Sequence, residues 1–299
     1  MIDLAAAHDF MATHARVIDR RQLAVALGGG AEAAHGLLAA LSAHRNPDGG
    51  HGWALEPDLR AEGSQPVGAL HALELMEEAA RAGAAAGAAS VALCDWLGQV
   101  TLADGGLPFA LPGAAAPGTA PWWAGADPAV SSLHITAGIA SAAHRLADRD
   151  AGVAAHPWLE RVTAYCLERI AALRERGPAY ELRYVLWLLD AARERVPAAA
   201  AELERLAAFV PASGELPVEG GVEGERLRPL DLSPRPGRPL RALVPADAVA
   251  RHLDELEAGQ RDDGGWTVDF PSASPAGAIE WRGVATVRAL ATLRAHGRL

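Results

Sequence analysis

Hydrophobic positions along the chain recur at three-and-four spacing, the period of an amphipathic helix. Ten segments carry it: 4–27 with a break inside, then 31–44, 64–82, 87–101, 129–148, 154–175, 179–194, 197–209, 245–260 and 277–297. β-branched and aromatic residues are sparse and strict alternation is rare, so strands are not expected. The pattern predicts an all-α fold.

Helix ends carry their own signals. Ser64 precedes Gln65 and Pro66, which reads as an N-cap with proline in the first turn. Pro157 and Pro178 fall at two other expected first turns. Glycines close the helices at Asp48-Gly49-Gly50, Asp104-Gly105-Gly106, Gly177, Gly214 and Asp263-Gly264-Gly265. Glycine accepts the left-handed conformation that ends a helix.

These stops also form a repeat. Asp48-Gly49-Gly50-His51-Gly52-Trp53, Asp104-Gly105-Gly106-Leu107-Pro108-Phe109 and Asp263-Gly264-Gly265-Trp266 each follow one amphipathic helix and lead towards another. The turns at 48 and 104 are 56 residues apart, which fits a helix–turn–loop–helix unit. Stacked units bury one face each and need neighbours. The more apolar helices (64–82, 129–148, 179–194, 277–297) alternate with more charged ones (31–44, 154–175, 197–209, 245–260). That alternation predicts an inner and an outer layer, and a closed ring rather than an open solenoid. Residues 1–299 then form one domain, an (α/α) toroid of about five to six helix pairs. Residues 211–245 interrupt it with seven prolines and a basic cluster, Arg226, Arg228, Arg235, Arg238 and Arg241. An inner helix is missing there, and long irregular insertions are often functional.

At Gln260-Arg261-Asp262-Asp263-Gly264-Gly265-Trp266 the repeat resembles the Gln…Gly-x-Trp motif of triterpene cyclases. In that family the Gln and Trp side chains tie neighbouring helices together at the outer-helix ends. The resemblance implies the αα-toroid shared with protein prenyltransferase β-subunits, complement thioester domains and lanthipeptide cyclases, here as a single-barrel member of actinobacterial type. It does not carry over the chemistry. The Asp-x-Asp-Asp acid motif of class II terpene cyclases is absent. The prenyltransferase zinc set is also absent, since Asp95 follows Cys94 in the wrong order. The thioester Cys-x-x-Gln fails as well, with Leu97 and Arg169 at the third place.

Composition narrows the partners. A net charge of −10 argues against nucleic acid and anionic membranes, which need a basic face. All 27 basic residues are arginine, the signature of a GC-rich bacterial genome. Cys94 and Cys166 are too few for a disulfide framework or a Cys-rich zinc site, and fit a reduced cytoplasm. Met1-Ile2-Asp3-Leu4 has no signal-peptide character, and no run approaches the roughly 18 apolar residues of a transmembrane segment. The expectation is a cytoplasmic protein.

The loop 51–65 is the richest in chemistry. Glu56, Asp58, Arg60, Glu62 and Gln65 crowd the approach to an apolar helix. A carboxylic acid beside a dry apolar pocket has a raised pKa and can protonate an alkene or a leaving group. Asp58 or Glu56 is the expected acid; the plainer reading is a turn stapled by an ion pair. Aligning Trp53 with Trp266 sets Glu56 opposite Asp269 in equivalent loops. Two such carboxylates suit acid–base work or a divalent ion such as Mg2+, or else cap the helices that follow. Glu280-Trp281-Arg282 opens the last helix, with Glu280 as an auxiliary carboxylate and Arg282, with Arg60, as ligands for an anion.

Trp53, Trp122, Trp123 and Trp281 would wall a pocket. Tyr180, Glu181 and Tyr184 start another apolar helix, further along which Asp190 needs a partner. His71 and His134 lie on apolar helices, where a lone histidine is more often structural than catalytic; His134 joins the substrate-binding set. No His-x-x-x-His, phosphate loop, dinucleotide fingerprint or Gly-x-Ser-x-Gly elbow occurs, so neither a zinc site nor an organic cofactor is expected.

Three functions remain open. The first is an isoprenoid-handling enzyme, cyclase-like or prenyltransferase-like, with acid-initiated chemistry on a prenyl or other apolar small molecule in an apolar central cavity. The second is a glycan-active hydrolase or lyase on a similar ring. The third is a non-catalytic toroid that binds a small molecule or a protein.

Overall fold

The computed structural model describes residues 2–299, and the fold is all-α. Among the described residues there are fifteen helices. The first five are α1 (Leu4–His14), α2 (Val17–Ala26), α3 (Gly30–Ser42), α4 (Pro66–Arg81) and α5 (Ala88–Val100). Then come α6 (Pro121–Ala124), α7 (Leu133–Ala147), α8 (Ala151–Ala154), α9 (Pro157–Ala172), α10 (Ala179–Ala192) and α11 (Pro197–Ala207). The last are α12 (Pro229–Leu232), α13 (Pro239–Ala242), α14 (Ala246–Ala258) and α15 (Pro275–Ala295). In the 211–245 insertion, β1 (Leu216–Pro217) pairs antiparallel with β2 (Arg226–Leu227).

The break expected in 4–27 lies between α1 and α2, where Ala15 and Arg16 are extended. Arg16 turns inward there. Its guanidinium donates to both carboxylate oxygens of Asp19 at 2.9 Å and to the carbonyls of Ala54 and Leu55 at 3.0 Å. Two capping expectations are corrected. Gln65, not Ser64, is the N-cap of α4, because the Ser64 hydroxyl donates to Asp48 at 2.8 Å instead. Pro178 stands one residue ahead of α10 rather than in its first turn.

The three Asp-Gly-Gly turns fold alike. Their first glycines, Gly49, Gly105 and Gly264, have φ of 93°, 93° and 88°, the left-handed region that favours glycine. In each turn the aspartate accepts the N–H of the second glycine, at 2.9, 3.1 and 3.2 Å. Two of the turns latch onto the next apolar helix: Leu107 N–H donates to Thr136 of α7 at 2.9 Å, and Trp266 N–H to Thr286 of α15 at 3.0 Å. Gly264 is needed twice over, since a Cβ there would lie 2.1 Å from the Ala6 carbonyl oxygen of α1. Gln260 joins the same corner, its amide exchanging two 2.8 Å hydrogen bonds with the Asp3 backbone, while Trp266 Nε1 donates to the Leu256 carbonyl at 2.8 Å. The repeat in the sequence is therefore a physical latch.

Helix contacts run in a circuit. α2 packs on α3 and α15, α3 on α4, α4 on α7, and α7 on α10. From α10 the contacts pass to α12 and α13, α12 meets α14, and α14 returns to α15. The insertion thus stands where a long helix would otherwise complete the sequence of contacts. α4, α7 and α10 are buried on most sides, whereas α3, α11 and α14 bury a single stripe. Apolar burial divides into a large core that runs from Ile18 of α2 and α3 through α11 into the insertion, a smaller one built mainly on α1, α14 and α15, and a small contact of Ala34, Ala79 and Ala84. Burying apolar surface is worth about 25 cal/mol per Å², so the large core dominates stability. No helix among the described residues is long and apolar enough to cross a membrane.

Candidate functional site

A cavity of about 1010 Å³ opens between α2, α4, α10, α15, the insertion and the loop after Trp266. It is not the greasy hollow expected from the sequence. The apolar helices that line it still turn one polar stripe towards it, and the insertion adds arginines to it.

On α4 that stripe is His71, Glu74 and Glu78, at the three-and-four spacing that places side chains on one face. His71 sits between two carboxylates: Nε2 is 2.7 Å from Glu56 and Nδ1 is 3.2 Å from Glu74. Burial alone would lower its pKa, but the hydrogen bonds to Glu56 and Glu74 outweigh burial and push it up to about 9. His71 is therefore an imidazolium at neutral pH. Burial would raise the Glu74 carboxyl, yet the hydrogen bond and charge of His71 pull it down to about 2, helped by Arg145 and Arg288.

Glu78 is different. Its two oxygens accept from the Gln22 amide at 3.2 and 3.0 Å. No arginine or histidine forms an ion pair with it among the described residues. Burial pushes its pKa up to about 7; the Gln22 hydrogen bond opposes this and the neighbouring charge of Glu77 reinforces it.

α10 contributes the aromatic wall. Tyr180, Tyr184 and Trp187 share one face, and the Arg183 guanidinium lies over all three rings, 4.8, 4.4 and 5.1 Å from their centroids. Arg183 has no carboxylate partner among the described residues, and its Nε is buried without a hydrogen bond. Arg145 of α7 approaches the same indole at 5.8 Å, donates to Ser141 at 2.6 Å and comes within 3.8 Å of Glu74.

Two insertion arginines complete this wall. Arg235 grips Glu77 of α4 at 3.0 and 2.5 Å. Arg238 bonds Asp190 of α10 at 2.7 Å, and Leu240 N–H donates to the same carboxylate at 2.9 Å. Asp190 thus finds its partner across 48 residues of sequence, not on its own helix.

Most of the residues expected to act are held by fixed partners. Asp58 accepts from Ser272 at 2.5 Å, Ala273 N–H at 3.2 Å and Trp281 Nε1 at 2.7 Å. It is a buried staple between the 51–65 loop and α15, with both carboxylate oxygens engaged by donors. Glu56 is tied to His71 and to the Asp58 N–H at 3.2 Å. Arg60 and Glu280 form one bidentate pair, at 2.7 and 3.2 Å, which silences both. Arg282 is not an anion ligand: it pairs with Asp263 of the turn at 2.8 and 2.7 Å and lies over Phe10. Gln65 bridges to the Leu111 backbone, its Oε1 accepting from Leu111 N–H at 2.8 Å.

Of the aromatic candidates, Trp53 is on the outside, 48% exposed, donating to Asn46 at 2.8 Å. Trp122 is 51% exposed, whereas Trp123 stacks on Phe109 at 4.4 Å. Tyr180, Tyr184, Trp281 and Asp269 do face the cavity, Asp269 lying 3.6 Å from Arg228. His134 packs behind them, stacked on Tyr180 at 6.0 Å. Burial, with the charge of Arg183, pushes its pKa down to about 3, so it is neutral. Glu181, on the same helix, is half-buried and does not line the cavity. Glu56 and Asp269 are held by different cations and do not present a shared Mg2+ site. No cluster of three potential ligands for a metal occurs among the described residues.

The sequence reading missed Glu74, Glu78, Arg145 and Arg183. One signal was available: each is a charge on an otherwise apolar helix, the same argument applied to Asp190.

No family model matches the chain, and no curated protein is significantly similar to it.

Proposed function

We propose that the chain is an enzyme built as a closed αα-toroid, and that it carries out acid–base chemistry on a polar, ring-bearing small molecule in the central cavity. Glu78 is the proton donor and acceptor. The observation that carries this reading is that Glu78 is a cavity carboxyl with an amide, not a cation, as its partner. A carboxyl poised near neutrality can give a proton and take it back, which is the requirement of general acid–base catalysis. The His71 imidazolium, fixed by Glu56 and Glu74, supplies a stationary positive charge on the same helix face. The circuit of helix contacts supports the toroid.

A cavity wall that mixes the rings of Tyr180, Tyr184 and Trp187 with charged groups favours the glycan-active version, because sugars present both apolar ring faces and hydroxyls. The isoprenoid version is narrowed: its acid moves from Asp58 or Glu56 to Glu78, and a hydrocarbon chain would lie against charged walls. The test is turnover by the full chain and by Glu78→Gln on two substrate sets. One set is neutral and acidic oligosaccharides, read by mass spectrometry of the products. The other is farnesyl and geranylgeranyl diphosphate, read by gas chromatography. Turnover of a sugar that Glu78→Gln loses while staying folded supports the reading. Turnover that Glu78→Gln retains in full overturns it.

A further inference from the structure

We infer that the cavity holds a binding site for an oxyanion, a carboxylate or phosphate group of the substrate, formed by Arg183 and Arg145 over the Trp187 ring. The inference deepens the proposed function by naming the charged group of its substrate. It rests on that reading only in taking the cavity as the ligand site, not in the role of Glu78.

A guanidinium removed from bulk water and lacking a carboxylate is costly, and proteins leave one so mainly where a ligand supplies the charge. Three other arginines that line the cavity have a counter-ion: Arg16 has Asp19, Arg235 has Glu77, and Arg238 has Asp190. Arg183 has three aromatic faces instead. Asp231 and Glu74 are near enough to act on its charge, yet neither pairs with it. Arg145 points the same way. Its Nε is buried without a hydrogen bond, and its one carboxylate contact is the long approach to Glu74, which is already bound to His71.

Arg183 and Arg145 share the Trp187 ring, 5.1 and 5.8 Å from its centroid, which sets two positive charges against one side chain of the cavity wall. Arg235 and Arg238 lie near enough to add their repulsion to Arg145. The planar fork of arginine matches a carboxylate or phosphate oxygen pair, and rings that hold the guanidinium in place remove the entropy of ordering it. The excess of positive charge stands out in a chain whose net charge is −10. The wall is selective for anions although the protein as a whole repels them.

The experiment is isothermal titration of the full chain with inorganic phosphate, inorganic diphosphate and glucuronate, each at constant ionic strength. Wild type is compared with Arg183→Met, Arg145→Met, Glu78→Gln and the exposed control Arg149→Met. The expected result is saturable binding of at least one probe, weakened by about tenfold or more in Arg183→Met and Arg145→Met, as for loss of a charge-assisted contact. Arg149→Met keeps wild-type binding, and Glu78→Gln, which removes a carboxyl from the same cavity, binds the probes at least as tightly as wild type. Tighter binding of the phosphates names a phosphoryl substrate, and tighter glucuronate a carboxylate one. Melting curves establish that the variants are folded, and Arg183→Lys, which keeps the charge without the fork, falls between wild type and Arg183→Met. Equal binding in wild type and both Met variants overturns the inference, as does the absence of binding to all three probes. Loss of turnover in Glu78→Gln with anion binding intact separates this inference from the assignment of the acid.

Discussion

The 51–65 loop and the cavity face of α4 are adjacent in sequence and equally rich in charge, yet they do opposite things. In the loop, Asp58 has three donors, Arg60 and Glu280 have each other, and Gln65 has the Leu111 backbone. On α4, His71 is held at both ring nitrogens, but Glu78, beside open space, has only an amide. Buried polar groups that find complete partners rigidify a fold, while incompletely paired ones mark where a ligand can act. Charge density alone does not distinguish the two cases; the inventory of partners does.

The sharpest way to break this contrast is at Asp58. Asp58→Ala leaves Trp281 Nε1, the Ser272 hydroxyl and Ala273 N–H without their acceptor, and should cost about 3 kcal/mol in urea unfolding. A loss under 1 kcal/mol would mean that the loop is not the staple described.

At His71 the effect depends on pH. The folded pKa, about 9, lies above the ordinary histidine value. The stabilisation is therefore fully present below about pH 6.5 and is lost as pH rises through 9. His71→Gln should cost about 2 kcal/mol at pH 6 and much less at pH 10. Thermal melts of the two proteins across that range give the difference directly, and a constant gap would count against the charged histidine.

Glu78 runs in a different window with its own sign. Its folded pKa, about 7, lies above the ordinary carboxyl value, so the folded chain keeps a proton that the unfolded chain releases. Stability is lost between about pH 4.5 and 7 and stays lower above that. Glu78→Gln should therefore be more stable than wild type at pH 8, by about 1 kcal/mol or more, and equal to it near pH 4. An advantage already present at pH 4 would contradict a titrating Glu78.

The smallest effect belongs to Trp53, which the sequence placed in the pocket wall and the fold places outside. Trp53→Ala should shift stability by less than about 1 kcal/mol, since an exposed aromatic loses little burial and one hydrogen bond. It should leave phosphate, diphosphate and glucuronate binding unchanged.

Much of the fold was legible because its signals are local. Helix periodicity, the Asp-Gly-Gly turns and the Gln260…Trp266 motif each depend on residues within one or two turns of each other, although those glycines do not stop the helices as expected: α3, α5 and α14 end earlier, at the C-caps Ala43, Thr101 and Gly259, and the turns shape the loops that follow. The irregularity of 211–245 was also legible from its prolines, but its role was not. Arg235 and Arg238 reach Glu77 and Asp190 over 158 and 48 residues, and no spacing rule encodes such pairs. The same blindness misassigned the loop carboxylates. Asp58 looks reactive until Trp281, 223 residues away, is seen to donate to it.

What the sequence alone determined is the helical character, the turn that punctuates it and the presence of an insertion. Those follow from backbone conformational preference and the period of apolar residues, which act over a few residues at a time. What only the tertiary structure decided is which charges neutralise one another. That depends on distances between groups remote along the chain, and a charge left without a partner becomes visible only once every other pairing has been made.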